Sequence, residues 1–179
     1  MTHFMEDKKS LDKLKQKLMD CEAVKFGKFT LTSGKESSFY VDMKLASTNP
    51  EILKLIAKEF SKYLPENIDF IAGMELGAVP LAVALSLETG IPYSMIRKSE
   101  RKHGTGSRIE GISEGKAVLV DDVATTGGSN LESVKALVDE GVEVSMVMVV
   151  VDREEGAHEK IAPFNIDYKA LIRISDLVN

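Results

Sequence analysis

One cysteine in 179 residues excludes an internal disulfide and makes a reducing cytoplasm the expected setting. Nothing near Cys21 in sequence would activate its thiol, so it reads as a packing residue. No apolar run approaches the roughly 20 residues that a membrane-spanning helix needs. The opening stretch, MTHFMEDKKS, lacks the pattern of a secretory signal. Positive charge is not in excess either. The formal net charge is −5, whereas a general nucleic-acid binder shows a basic face. No composition shift marks a second domain, and the length suits one domain with a full core.

What is present centres on residues 117–129, AVLVDDVATTGGS. Four apolar residues, Ala117 to Val120, run without alternation and predict a strand buried on both faces of a parallel sheet. The run stops at Asp121 and Asp122. A small hydroxyl-rich turn follows, and then a helix over 131–140 with Leu131, Val134, Leu137 and Val138 on its apolar face. A loop that opens a helix offers free backbone N–H groups and the positive end of the dipole to an anion. Gly127 and Gly128 allow close approach, and Thr125, Thr126 and Ser129 add hydroxyl donors. The carboxylates suit hydroxyl groups, or a metal ion held through water. A ligand with a phosphate and a vicinal diol satisfies both halves. The stretch is neither a Walker loop nor G-x-G-x-x-G.

Residues 118–129 closely resemble the phosphoribosyl-diphosphate (PRPP) binding motif of type I phosphoribosyltransferases. The resemblance implies that Asp121 and Asp122 hold the ribose hydroxyls. It implies that Val123, Ala124, Thr125, Thr126, Gly127, Gly128 and Ser129 wrap the 5-phosphate.

Other segments narrow the family. Leu11, Leu14 and Leu18 predict an amphipathic helix with Ser10 as its N-cap. Residues 24–44 predict a hairpin with a turn at Ser33-Gly34-Lys35. FGKFTLTSGKESSFYVD resembles the N-terminal hood of orotate phosphoribosyltransferases, although Thr32 stands where many members carry a lysine; Lys28 and Lys35 are nearby substitutes. Pro50 opens a helix, 70–73 is a buried strand, and Met74-Glu75-Leu76-Gly77 is the loop before a helix over 78–87. In the family that loop binds diphosphate, often with a lysine. Glu75 therefore receives no role, and an exposed or capping carboxylate is expected.

After a strand at 93–96 comes RKSERKHGTGSRIEG, residues 97–111. By composition it is either a solvated surface loop or a cationic cover for a charged substrate. It resembles the catalytic loop of orotate phosphoribosyltransferases, which a neighbouring subunit supplies. Arg97, Lys98 and His103 match. The third cation is Arg101 or Lys102, and the two are not equivalent. Residues 144–151 predict an apolar strand ending in the VDREEG segment, where the resemblance gives Arg153 to orotate. Residues 168–174 predict a final strand, and the resemblance implies that this tail returns to the hood.

Strands and helices alternate over 52–151, which predicts an α/β fold with a doubly wound, mostly parallel sheet. The resemblance adds a small hood from about 1–45 plus the C-terminal tail, on a core of about 50–160, all in one domain. The four segments together resemble an orotate phosphoribosyltransferase, which forms orotidine 5′-monophosphate and diphosphate from orotate and PRPP in UMP synthesis. That family implies Mg²⁺ held mainly through diphosphate and water, and a homodimer sharing the basic loop. It places Arg101, Lys102, His103, Asp121 and Asp122 at the reaction, and Thr125 and Arg153 at orotate. Two alternatives stay open: a purine-base transferase, or a regulator that keeps the fold without turnover.

Overall fold

The structure is a computed structural model that describes residues 2–30, 34, 36–99 and 107–177, with side chains from residue 8 onward. Helix α1 (Thr2–Asp20) leads into a hairpin of β1 (Val24–Thr30) and β2 (Glu36–Val41). Ser10 lies inside α1 rather than at its start, because the helix extends eight residues further towards the N-terminus. Leu14 and Leu18 are fully buried.

A short helix α2 (Lys44–Ser47) and α3 (Pro50–Ser61) precede the main sheet. The α3 start is well specified: Asn49 accepts from the N–H groups of Glu51 and Ile52, and Pro50 occupies the first turn. Then follow β3 (Phe70–Met74), α4 (Val79–Thr89), β4 (Tyr93–Ile96), β5 (Ile109–Glu110) and β6 (Lys116–Ala124). The chain continues through α5 (Gly128–Asp139), β7 (Glu143–Asp152), α6 (Ala157–Ile161) and β8 (Asp167–Arg173).

Among the described residues, the main sheet runs β5-β4-β3-β6-β7-β8, parallel except for the β4–β5 pair. The unalternating apolar run of β6 is explained by its two covered faces. Val118 and Val120 pack into the cluster holding Leu14, Ile56, Leu81 and Leu85. Ala117 and Leu119 pack on the other side with Val134, Leu137 and Ile161. One face therefore carries α1, α3 and α4, and the other carries α5 and α6, as in a doubly wound sheet.

One expectation about the sheet is corrected. Strand β6 does not stop at the acid pair but runs on to Ala124, paired with β7 as far as Ala124↔Asp152. The final strand, β8, is the edge of the main sheet beside β7. Leu171 and Ile172 of β8, with Ile174 and Leu177 after it, join the cluster that contains Leu14 and Leu18, so the tail packs on the N-terminal segment.

Candidate active site

The strand order reverses between β3 and β6. Chain order runs outward from β3 to β4 on one side and from β6 to β7 and β8 on the other. In open α/β sheets the crevice beyond the carboxyl ends at such a switch point is where ligands bind. A cavity of about 630 Å³ lies there. Its floor comes from the loop after β3 (Glu75, Leu76, Gly77) and from the end of β6 (Asp121, Asp122, Val123) with Thr125 and Ser129. Lys98 lines it from the β4 side and Arg153 from the end of β7. Tyr40, Asp42, Lys44, Ser47 and Thr48 form the wall on the hairpin side.

The acid pair is held by its own backbone. Asp122 N–H donates to Asp121 Oδ1 at 2.9 Å, and Val123 N–H to Asp122 Oδ1 at 2.8 Å. Asp121 is buried, and Asn130 of α5 donates to its Oδ2 at 2.8 Å. Burial first, then the adjacent Asp122 charge, pushes the Asp121 carboxyl up to about 7. Asp122 faces the loop after β3 so closely that a Cβ on Gly77 would stand 2.5 Å from its Oδ2. Glycine there lets the loop after β3 and the end of β6 share one cavity.

Gly127 caps α5 in the left-handed conformation, φ 71°, where a Cβ would also stand 2.9 Å from Ala157 Cα. The turn that Thr126, Gly127 and Gly128 make thus opens α5 beside the cavity, with Thr125 and Ser129 on its lining. Thr126 and Gly128 are exposed, and Ala124 is buried in the sheet; these three and Gly127 are not part of the lining. Ser129 Oγ donates to Met74 Sδ at 3.6 Å, which ties the turn to β3.

Arg153 is fixed from several sides. Its backbone N–H donates to Ala124 O at 2.9 Å, and its guanidinium lies 4.9 Å from the centre of the Phe39 ring. Nε is 2.8 Å from Glu155 Oε1, yet off the N–H axis, so that N–H is without a hydrogen bond. The preceding Asp152 is buried and accepts from Tyr168 Oη at 3.0 Å and Glu154 N–H at 2.8 Å. Burial and the Asp152 charge raise the Tyr168 phenol above its usual range, keeping it a donor. The guanidinium fork is thereby presented to the cavity from a rigid strand end.

At the root of the basic loop, Lys98 and Arg97 diverge. Lys98 lines the cavity of its own chain, whereas the Arg97 side chain pairs with Glu110 at 3.3 Å and lies off the lining. Arg101, Lys102 and His103 lie outside the described residues, as do Thr32 and Lys35. Lys28 is exposed on β1 and takes no part in the lining.

Residues 47–169 match the family described as “Phosphoribosyl transferase domain”. The orotate phosphoribosyltransferase of Pyrococcus abyssi is 51% identical over 171 residues, 93% of this chain and 94% of that one. The chain belongs to the orotate phosphoribosyltransferase family. The orotate phosphoribosyltransferase of Mycobacterium tuberculosis H37Rv, in complex with Fe(III) dicitrate, shares its fold at TM-score 0.82 and 32% identity, covering 94% of this chain and 98% of that one. The same enzyme in complex with PRPP gives 0.76 at 29% identity, over 95% and 99% of the two chains.

Against this orotate phosphoribosyltransferase background, the sequence reading missed two groups of lining residues. Asp42, Lys44, Ser47 and Thr48 follow β2, and with Met43, Leu45 and Ala46 between them no continuous polar run signalled them. Lys44 N–H and Nζ both reach Asp42, at 3.0 and 3.3 Å, and hold its carboxyl below the usual range. Glu75 was given no role. It is neither freely exposed nor a helix cap: its Oε1 accepts the Lys98 N–H at 2.8 Å.

Proposed function

We propose that this cavity transfers the 5-phosphoribosyl group of PRPP to orotate, releasing orotidine 5′-monophosphate and diphosphate, as one step of UMP synthesis. The reading is carried by one observation: the acid pair, Thr125 and Ser129 at the two ends of the turn, and Arg153 line the same cavity. Breaking the anomeric C–O bond leaves positive charge on the ribose and negative charge on the departing diphosphate. Catalysis is then positioning plus charge stabilisation, with no covalent nucleophile.

Asp121 and Asp122 accept from the ribose hydroxyls and stand near the developing cation. Val123, Ala124 and the turn from Thr125 to Ser129 receive the 5-phosphate at the N-terminus of α5. Thr125 sits between phosphate and base, and the planar fork of Arg153 orients the orotate carboxylate. Lys98 meets the diphosphate. The Arg97 side chain pairs with Glu110 and is not on the lining of this cavity, which supports a homodimer in which Arg97, Arg101 or Lys102, and His103 serve the partner's site.

Among the described residues no three acidic, histidine or cysteine side chains converge on one point. Carboxylates from Asp121 and Asp122 do line the cavity, and their oxygens would suit a hard cation completed by diphosphate and water. Mg²⁺, when bound, supplies positive charge to the leaving diphosphate. The described residues include no helix long and apolar enough to cross a membrane, and with the single cysteine this supports a cytoplasmic setting.

The test is orotate consumption, followed by absorbance, with PRPP and Mg²⁺ and with adenine, hypoxanthine and uracil in parallel. Orotate-specific, Mg²⁺-dependent turnover is expected. Turnover with another base would keep the PRPP site and overturn the role of Arg153. PRPP binding without any turnover would overturn the transfer itself.

A further inference from the structure

Lys98 enters the cavity from a backbone held on both sides. On one side Arg97 N–H donates to Arg108 O, and Arg108 Nε donates back to Arg97 O, each at 2.8 Å. Arg108 also pairs with Glu132 of α5 at 2.8 Å. On the other side stands Glu75, in the loop after β3. Its own N–H donates to Ile96 O at 2.8 Å, and its carboxylate accepts the Lys98 N–H at 2.8 Å. Two hydrogen bonds thus run between Glu75 and the residues flanking Arg97.

A carboxylate on the wall of a diphosphate site is unfavourable unless it serves another purpose. We propose that Glu75 is a positioning residue, holding the Lys98 backbone so that the Lys98 ammonium is delivered to the leaving diphosphate. This rests on the reading of Lys98 as a diphosphate contact. Charge-assisted acceptance of a backbone N–H is stronger than a neutral bond, and a misplacement of about 1 Å at a reacting centre can cost as much as 100-fold. Glu75 acts on the reaction through Lys98, and its carboxylate contacts neither the diphosphate nor a metal ion.

The experiment compares Glu75→Ala, Glu75→Gln, Lys98→Ala and the double variant Glu75→Ala/Lys98→Ala, all checked for unchanged thermal melting. The readouts are kcat and the KM for PRPP with orotate saturating. Glu75→Ala is expected to lower kcat/KM for PRPP roughly 10- to 100-fold. Glu75→Gln keeps an acceptor oxygen and is expected to stay within about threefold of the parent. In the Lys98→Ala background, Glu75→Ala should add less than about threefold, because its effect passes through the missing ammonium.

Glu75→Gln falling as far as Glu75→Ala would show that the charge itself is used, as in direct metal binding, and would overturn the inference. So would an undiminished effect of Glu75→Ala without Lys98. If Lys98→Ala is slow while Glu75→Ala is not, only the positioning role fails. If Lys98→Ala turns over normally, the diphosphate role of Lys98 fails, and the inference falls with it.

Discussion

Asn130 donates its side-chain amide to Oδ2 of Asp121 across 2.8 Å, joining the first turn of α5 to the end of β6. Both side chains are buried. The helix that opens at the turn over 125–129 therefore also holds one of the two acids. The bond favours the ionised carboxylate against burial and the Asp122 charge, both of which raise its pKa. Asn130→Ala is expected to move the acid limb of the pH–rate profile to higher pH. It should also cost roughly 1–3 kcal/mol of stability, the range for a buried polar group left unsatisfied. Rates of orotate consumption across the pH range and denaturant melts check both, and an unmoved acid limb would separate Asn130 from the titration of the pair.

Stability should depend on pH through the same residue. Asp121 titrates near 7 in the folded protein, against an ordinary value of 3.8. A carboxyl with a raised folded pKa binds its proton more tightly folded than unfolded. Its contribution is complete below the unfolded pKa and is lost as pH rises through about 7. At about 1.4 kcal/mol per pKa unit, the full swing is at most about 4 kcal/mol. Asp121→Asn keeps an oxygen for Asn130 and removes the titration, so its Tm should vary less between mildly acidic and mildly alkaline pH. Parallel Tm-against-pH curves for the two proteins would overturn this assignment.

Much of this was legible in the sequence, for reasons that individual residues make plain. The run from Ala117 to Val120 identified β6 because a strand covered on both faces needs apolar residues at every position. Pro50 marked the start of α3 because its fixed φ acts locally, whereas the Asn49 cap emerged only in the structure. The acid pair and turn were readable because loop chemistry and backbone geometry sit in one short segment. What escaped depended on contacts far apart in the chain. Glu75 and Lys98 are 23 residues apart, and no local pattern joins them. Ser10 looked like a cap because Leu11 begins the apolar periodicity, yet α1 continues through residues with no such pattern. The partnership of β8 with β7 is likewise set by tertiary packing rather than by the Tyr168–Ile174 sequence itself.

Gly77 lies where the loop after β3 meets Asp122 of β6. A methyl group there would stand 2.5 Å from Asp122 Oδ2, so either the loop after β3 or the Asp122 carboxylate must move. Overpacking of this kind costs about 1–3 kcal/mol. Gly77→Ala is expected to leave a folded protein, with kcat/KM for PRPP lowered roughly 10- to 100-fold. Steady-state kinetics beside a melting curve separates the two effects. Wild-type kinetics in a folded Gly77→Ala protein would mean that the Asp122 position is not tightly required.

Arg153 offers the sharpest separation between the two substrates. Its guanidinium stands over Phe39, with Nε free of any hydrogen bond inside the cavity wall, while the phosphate turn and acid pair are built from other elements. Loss of the fork should therefore weaken orotate without touching PRPP. A charge-assisted hydrogen bond contributes about 1.5–3 kcal/mol, so Arg153→Ala is expected to raise the KM for orotate roughly 10- to 100-fold. The KM for PRPP should stay within about threefold, since additivity holds for groups that share no partner. Arg153→Lys restores the charge but not the planar pair of donors, so it should recover only part of the loss. Initial rates with each substrate varied in turn decide the matter. Equal increases in both KM values would place Arg153 in the integrity of the whole cavity, and an unchanged orotate KM would remove it from base recognition.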